Sequence, residues 1–543
     1  MKRQWIYFAL IFIAILPILL LRDFTADNEL KYLSIADEAI ENSNIFAFYN
    51  HGAPYADKPP LYLWFVMLGK IIFGKHVMFY VSLLSVIPAF VTAWIVGKFT
   101  GRALTERENC STQLILFTTA FFLAPIIVLR MDMLMTMFIT LALYTFYRMY
   151  EYNSTDPGSE RQARLYRRRQ WLLPLYIFLA LFSKGPVGLM LPLLAIIVFL
   201  AISRRLNTTG KYLGWRCWTV LLALCALWFT GVYLDGGSEY LNNLLFHQTI
   251  DRAVDAFHHK KPIYYYLVTY WFTLAPWSLL AFAAIITAYK EHLVNNTLSR
   301  FFITIFLTIL VMLSLISSKL EIYLLPAFPF LVFFTATVIV KKSNWALKAS
   351  VALPAAVFMA IFAASCFYKA ISEHFALPAI ELAAPLWCYT LILFAGGVAA
   401  ILSLCRNRIF RATDAIAISL LLFIFSASLS ISSFNKYIGM KEGCKVALEK
   451  AEEHGFSRFV HYNFHTSENF DVYFKEMLGE EGADRREIEQ FAIEEIGKED
   501  IGSLHGSVLF LMSRHIAKDP ELAKAVEGRE SYRYGMSTIV LFE

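Results

Sequence analysis

QWIYFALIFIAILPILLL, residues 4 to 21, is apolar apart from Gln4, and its length is what an α-helix needs to cross the hydrocarbon core of a bilayer. Lys2 and Arg3 precede it and no small-residue cleavage pattern comes before Arg22, so it reads as a retained first membrane helix. Composition points to the same solvent. Of 543 residues, 58% are hydrophobic and 16% aromatic against 17% charged, more apolar side chain than a soluble core hides. Further long apolar runs are centred near Pro88, Phe121, Leu141, Phe178, Ala195, Leu224, Leu274, Leu307, Phe330, Val357, Leu393 and Phe423. The expected fold is all-α and polytopic, with about thirteen transmembrane helices.

Basic residues orient these spans. Lys98, Arg102 and Arg107, the run Arg164 to Arg169, Arg204 and Arg205, Lys290 and Arg300, Lys341 and Lys342, and Arg406, Arg408 and Arg411 fall in alternate loops, which the positive-inside bias places in the cytoplasm. The N-terminus is then inside, and an odd number of spans puts the tail outside. Near residue 435 the chain turns charged and acid-rich, which divides it into a membrane domain, 1–435, and a small extracytoplasmic α/β domain, 436–543. Within that tail GFSRFVHYNF, GSVLFLMSR and STIVLFE read as strands, and KEGCKVALEKAEEHG and REIEQFAIEEIG as helices ending at glycine. Five of the seven cysteines lie in or beside spans, so no disulfide framework is implied. The net charge of +6 reflects the cytoplasmic loops, and no basic stripe with interleaved aromatics marks a nucleic-acid partner. No internal repeat, P-loop or Cys/His metal spacing is present.

The outward loops carry the chemistry. In RDFTADNELKYLSIADEAIENSN, residues 22–44, an amphipathic helix would dip Leu30, Leu33, Ile35 and Ile40 into lipid, while Asp27 and Glu29 at the bilayer edge are costly unless used. YADKPPLYLW, residues 55–64, sets Asp57, Lys58 and two prolines before an apolar run. APIIVLRMDMLMTMF places Arg130 and Asp132 between apolar stretches, either as a polar turn or as a paired, working acid. LFSKGPVGL isolates Lys184, and FHQTIDRAVDAFHHKKPIYYY brings His247, Arg252, His258, His259, Lys260 and Lys261 to the side where basic residues are uncommon. An anionic headgroup or phosphate accounts for them. SLISSKLEIYLLPAFPF adds Lys319, Glu321 and Tyr323.

In order along residues 1 to 435, the elements ADNELKY, YADKPPLYLW, RMDMLMT, FSKGPVGL, FHHKKPIYYY, APWSLL and SSKLEIYLLPAFP resemble the GT-C type polyprenyl-phosphate-dependent glycosyltransferases. That group includes the protein O-mannosyltransferases, and the likeness is strongest to the bacterial lipid A aminoarabinose transferase branch. The resemblance implies an enzyme of the bacterial inner membrane. It moves a sugar from a polyprenyl-phosphate carrier to an extracytoplasmic acceptor: lipid A, another glycan or a protein. Family members open the first loop with Asp-Glu and then Arg-Tyr; here Glu29 and Tyr32 align, Lys31 replaces the arginine and Asn28 takes the usual aspartate position. Asp27 is the preferred first-loop catalytic acid and Glu29 the second. Asp132 matches the second-loop acid. Asp57 and Lys58 match the pair at the carrier phosphate, Arg252 a phosphate-binding arginine, and Tyr323 the tyrosine of the KLxxY element. Lys184 and Lys319 are similar candidates for phosphate contact. Asp57 with His247 falls where a divalent metal ion is held in some relatives, although the chemistry requires no cofactor.

These residue types suit the reaction. Lysine and arginine stabilise the charge left on the carrier phosphate, and a carboxylate takes the acceptor's proton or steadies an oxocarbenium-like sugar. Two other classes share some features. A flippase for lipid-linked sugars predicts mid-membrane charges and repeated broken helices, and a scaffold leaves the loop acids unexplained.

Overall fold

A computed structural model describes residues 2–101, 103–154, 159–245, 260–374 and 384–543. It is a multi-pass, helical membrane protein: eight of the described helices are long and apolar enough to cross a bilayer, or ten when each of two sharply bent pairs counts as one crossing. The bent pairs are Glu106–Phe117 with Ala120–Ile127, at 68°, and Tyr265–Thr273 with Ser278–Lys290, at 117°. Their breaks bond to each other, the Ala120 N–H donating to the Ala275 carbonyl at 2.8 Å and Trp277 Nε1 to Thr118 Oγ1 at 2.9 Å. Backbone freed by a bend within an apolar region is thus paired inside the protein. Contacts divide the chain into two compact units, Met1–Pro17, Ala56–Tyr62 and Ser82–Ser428 on one hand, and Ile18–Tyr55, Leu63–Val81 and Leu429–Glu543 on the other.

In the first unit, the helices Met131–Ser154 and Glu160–Lys184 pack along their lengths, as do Trp345–Cys366 with Leu386–Cys405 and Leu386–Cys405 with Ile409–Ser428. An aromatic knot of Phe99, Phe146, Phe199, Phe301 and Phe330 fills its centre, with Phe199 and Phe301 ring centroids 4.8 Å apart. Side chains held this close supply the van der Waals packing that joins helices where lipid offers no hydrophobic drive. Polar turns start several helices. Asn296 and Asn344 accept backbone N–H bonds from Ser299 and Leu347, and Thr105 with Glu108 forms a reciprocal capping box.

The second unit begins with the helix Asn28–Glu41 and a short hairpin, β1 Tyr49–Asn50 and β2 Ala53–Pro54. It ends in a five-stranded mixed sheet. Its strands are β3 Arg458–His461, β4 Ile493–Glu495, β5 Ser507–Met512, β6 Ser531–Tyr534 and β7 Ser537–Phe542, in the order β4-β3-β5-β7-β6. β3 runs parallel to β4 and β5, and β7 antiparallel to β5 and β6. The apolar run Val508 to Leu511 is fully buried, as a central strand requires. Three details depart from the sequence pattern. REIEQFAIEEIG is helical only over Arg485–Gln490, and Ile493–Glu495 joins the sheet because β3 offers its free edge. SYRY forms the edge strand β6, whose weak alternation concealed it, and its hairpin turns at Gly535, where φ is +58°. Finally, Leu30, Leu33 and Ile35 are buried against protein, not lipid, because Asn28–Glu41 packs on the helix Asp471–Glu481.

Candidate functional site

Pro59 and Pro60 cannot extend a helix backwards, so the helix Leu61–Phe73 starts just after them and leaves Asp57 and Lys58 on a tight turn. There the Lys58 ammonium lies 2.9 Å from an Asp57 carboxylate oxygen, with both side chains about four-fifths buried. Burial pushes the Lys58 ammonium down to about 8; Asp132 opposes that shift and Arg130 adds to it. Lys58, Asp132 and Arg130 therefore share one electrostatic neighbourhood.

Asp132 is in the first turn of the helix Met131–Ser154 and is 1% exposed. The helix dipole favours a carboxylate there. Its carboxylate forms an ion pair with Lys184, the last residue of Glu160–Lys184, where the dipole favours a cation. Gly185 follows with φ +102°, a conformation that a side chain resists. It lets the chain turn into Pro186–Ile202 immediately after the lysine, while Gly188 meets the preceding helix so closely that a Cβ would lie 2.1 Å from the Ala180 carbonyl oxygen. The Lys184 ammonium also sits 4.6 Å above the Tyr323 ring, a cation–π contact. Ser85 Oγ holds the preceding loop by bonding the backbone of Arg130 at 3.3 Å.

The structure thus brings together Asp57, Lys58, Asp132, Lys184 and Tyr323, with Arg130 beside them. Lys319 is placed differently. It is 3% exposed, and its ammonium donates to the carbonyls of Lys261, at 3.0 Å, and Ile316, at 2.5 Å, pinning the loop at 260–261 to the one at 316–319. Arg102, His247, Arg252, His258 and His259 lie outside the described residues. Glu29 belongs to the second unit, is fully buried, and is held by Arg22 in two bonds of 2.6 and 2.8 Å and by the Thr25 N–H at 2.6 Å. Asp27, two residues earlier at the helix N-cap, is exposed and makes no cap bond. No group of three His, Cys, Asp or Glu among the described residues is arranged to hold a metal ion, and Asp57 is already neutralised by Lys58.

The chain is similar to several known proteins. The family model described as dolichyl-phosphate-mannose-protein mannosyltransferase matches residues 57–229, a stretch that opens on Asp57 and contains Asp132 and Lys184. The undecaprenyl phosphate-alpha-4-amino-4-deoxy-L-arabinose arabinosyl transferase of Shewanella sediminis is 25% identical over 310 residues, 56% of this chain and 54% of that protein. Its counterpart 1 in Pseudomonas fluorescens is 24% identical over 307 residues, 55% of this chain and 51% of that one. The chain spans about half the length of these relatives. The crystal structure of ArnT from Cupriavidus metallidurans bound to undecaprenyl phosphate superimposes with a TM-score of 0.72 at 16% identity, over 98% of this chain and 97% of that one. The chain has the ArnT fold.

Within the ArnT fold of this chain, two participants escaped the motif reading. Arg130 was visible in RMDMLMT only as half of a charge pair, and Arg22 only as the charge that ends the first helix. Arg130 acts on Lys58 and Lys184, too distant in the chain for spacing to give a signal, whereas Arg22 acts on Glu29, seven residues on.

Proposed function

We propose that the chain is a membrane glycosyltransferase that takes its sugar from a polyprenyl-phosphate carrier. The observation that supports this reading best is the linked pair of ion pairs, Asp57 with Lys58 and Asp132 with Lys184, on a chain with the ArnT fold. Cleaving a sugar–phosphate bond leaves charge on the carrier phosphate. Lys58 and Lys184, already positioned and largely screened from water, stabilise it without reorganising. As the phosphate takes up the lysines, Asp132 is released to accept an acceptor hydroxyl's proton or to steady the sugar's positive charge. Tyr323 keeps Lys184 in place through its ring face. Asp27 is the first-loop acid of this proposal, because Glu29 is committed to Arg22. Arg252 supplies a further contact to phosphate in this proposal, whereas Lys319 is held by the Lys261 and Ile316 carbonyls.

The topology follows. The helices Met131–Ser154, Glu160–Lys184 and Pro186–Ile202, added to the ten crossings, make thirteen. Pro186–Ile202 is short, and the other two carry charged ends, such as Arg164 to Arg169. Thirteen crossings with the basic loops inside support the proposal of a cytoplasmic N-terminus in a bacterial inner membrane and of an outside position for the domain at 436–543. Lipid A or another glycan is the proposed acceptor. A protein acceptor is the second reading, favoured by the mannosyltransferase family model. Mass spectrometry of lipid A, glycans and secreted proteins from cells with and without the chain, beside Asp132→Asn and Lys58→Ala, tests both. Loss of one sugar in the deletion and in both variants is expected; no change in any glycan refutes the enzyme reading.

A further inference from the structure

Residues 22–27 join the first helix, Lys2–Leu21, to the helix Asn28–Glu41 and lie outside any helix or strand. The backbone of such a segment must find its partners elsewhere. Three successive N–H groups here each donate to a side chain: Asp23 to Asn435 Oδ1 at 3.0 Å, Phe24 to Asp23 Oδ1 at 2.8 Å and Thr25 to Glu29 Oε2 at 2.6 Å. Arg22 closes the turn by bonding both Glu29 and the Asp23 carbonyl. Arg22, Asp23, Phe24 and Glu29 are all buried. Asp27 is exposed and makes no cap bond, so its place is set by the backbone frame on either side of it.

Half of that frame comes from the other end of the chain, within the same compact unit. The helix Lys441–His454 follows Met440, whose side chain makes no cap bond. Its first N–H, that of Lys441, donates instead to Asp23 Oδ2 at 2.9 Å. In return, Asn435 Nδ2 donates at 2.9 Å to the carbonyl of Leu21, the last residue of the first helix, and Tyr473 Oη donates to Asp23 Oδ1 at 2.6 Å. Each side thus satisfies a helix end of the other, where a helix leaves backbone groups without partners. Tyr473 is buried, and the chain passes Asp23 at Gly439, where a Cβ would lie 2.3 Å from Asp23 Oδ2. Bonds that only attached a domain could fall anywhere on its surface; these fall on Leu21 and Asp23, at the start of the segment that presents Asp27.

We propose that the chain from Asn435 onward serves sugar transfer as well as architecture: through Asn435, Lys441 and Tyr473 it fixes Asp23, and Asp23 fixes the backbone that presents Asp27. Asp23 and Tyr473 are positioning residues. This assignment rests on the reading of Asp27 as the first-loop acid.

The test is hydrogen–deuterium exchange of the full chain in detergent, beside steady-state transfer of labelled sugar from a polyprenyl-phosphate donor. In the wild-type chain the peptide covering residues 22–30 should be protected like the rest of the helix Asn28–Glu41; free exchange there overturns the proposal with no variant needed. Tyr473→Phe keeps the ring and removes the hydroxyl. It should open residues 22–30 to exchange about tenfold more often, as loss of one hydrogen bond to a carboxylate warrants, and lower kcat about tenfold with the donor KM unchanged, as displacement of a working group warrants. Asn435→Ala, at a half-buried position, should do the same. Peptides from β3, β5 and β7 should keep their wild-type exchange in both variants. Faster exchange at 22–30 with kcat unchanged overturns the proposal, and a rise shared by the sheet overturns it in favour of a purely structural contact. Asp27→Asn, run beside them, separates the two claims. Full transfer by that variant refutes the reading of Asp27 as the acid and the positioning with it, whereas loss of transfer there with a wild-type kcat in Tyr473→Phe overturns the positioning alone.

Discussion

Replacing Asp132 by Asn tests the core of the proposed chemistry, because it removes one charge and almost no volume. Asp132 faces two ammonium groups: Lys184, its ion-pair partner, and Lys58, whose protonation it supports. With Lys58 at about 8, roughly three-quarters of the chains carry that charge at about pH 7.5. Loss of the Asp132 carboxylate removes the charge that opposes the shift, so the Lys58 ammonium falls further and fewer chains carry it. Loss of the carboxylate's own part in proton transfer adds a factor of about 10² to 10⁴. The expected outcome is a fall in transfer of at least two to three orders of magnitude, with the alkaline limb of the residual pH profile moved toward neutrality. The assay is transfer of labelled sugar from a polyprenyl-phosphate donor by the purified chain across a pH series, with melting temperature recorded in parallel. A variant that keeps its fold and transfers at the wild-type rate, with its alkaline limb unmoved, refutes the reasoning.

Other outcomes follow from the same geometry. Asp27→Asn should abolish transfer without changing the melting temperature, whereas Glu29→Gln should cost about 3–5 kcal/mol of stability, because it strands the buried Arg22; thermal melts beside activity separate the two, and the reverse pattern would make Glu29 the working acid. Tyr323→Phe should retain most activity and Tyr323→Leu lose about fivefold, since the ring face, not the hydroxyl, meets Lys184. In the second unit, burial pushes the Asp471 carboxyl up to about 6, with His51 and Lys475 opposing. The folded chain therefore binds a proton there that the unfolded chain releases above about pH 4, and stability rises as pH falls from about 6 toward 4. Asp471→Asn should raise Tm at about pH 7.5, by about half as much at about pH 5, and leave it nearly unchanged at about pH 3.5; an equal rise at all three values contradicts the assignment.

Much of the architecture was legible because a bilayer imposes a length and an apolar composition on each crossing. The runs at Val357, Leu393 and Phe423 became the helices Trp345–Cys366, Leu386–Cys405 and Ile409–Ser428. The same reading did not foresee the bends at 118–119 and 274–277, since pairing between Ala120 and Ala275 is a contact across more than 150 residues that leaves no local pattern. Nor did it separate β4 from the helix before it, because three residues of alternation are too few to override neighbouring helical spacing.

A multi-pass membrane protein with acids and bases recurring at the turns between apolar runs could be read from residue order alone, because both are statements about which residues water or lipid will accept. How those charges divide their work emerges from helix packing. Asp132, Lys184 and Tyr323 lie on three helices far apart in the chain, and their convergence depends on helix packing around Gly185 and Gly188. Glu29 and Lys319 looked equally available, yet Arg22 and two backbone carbonyls hold them. A charged side chain's role is set by the partner nearest to it, and that distance exists only once the chain has folded.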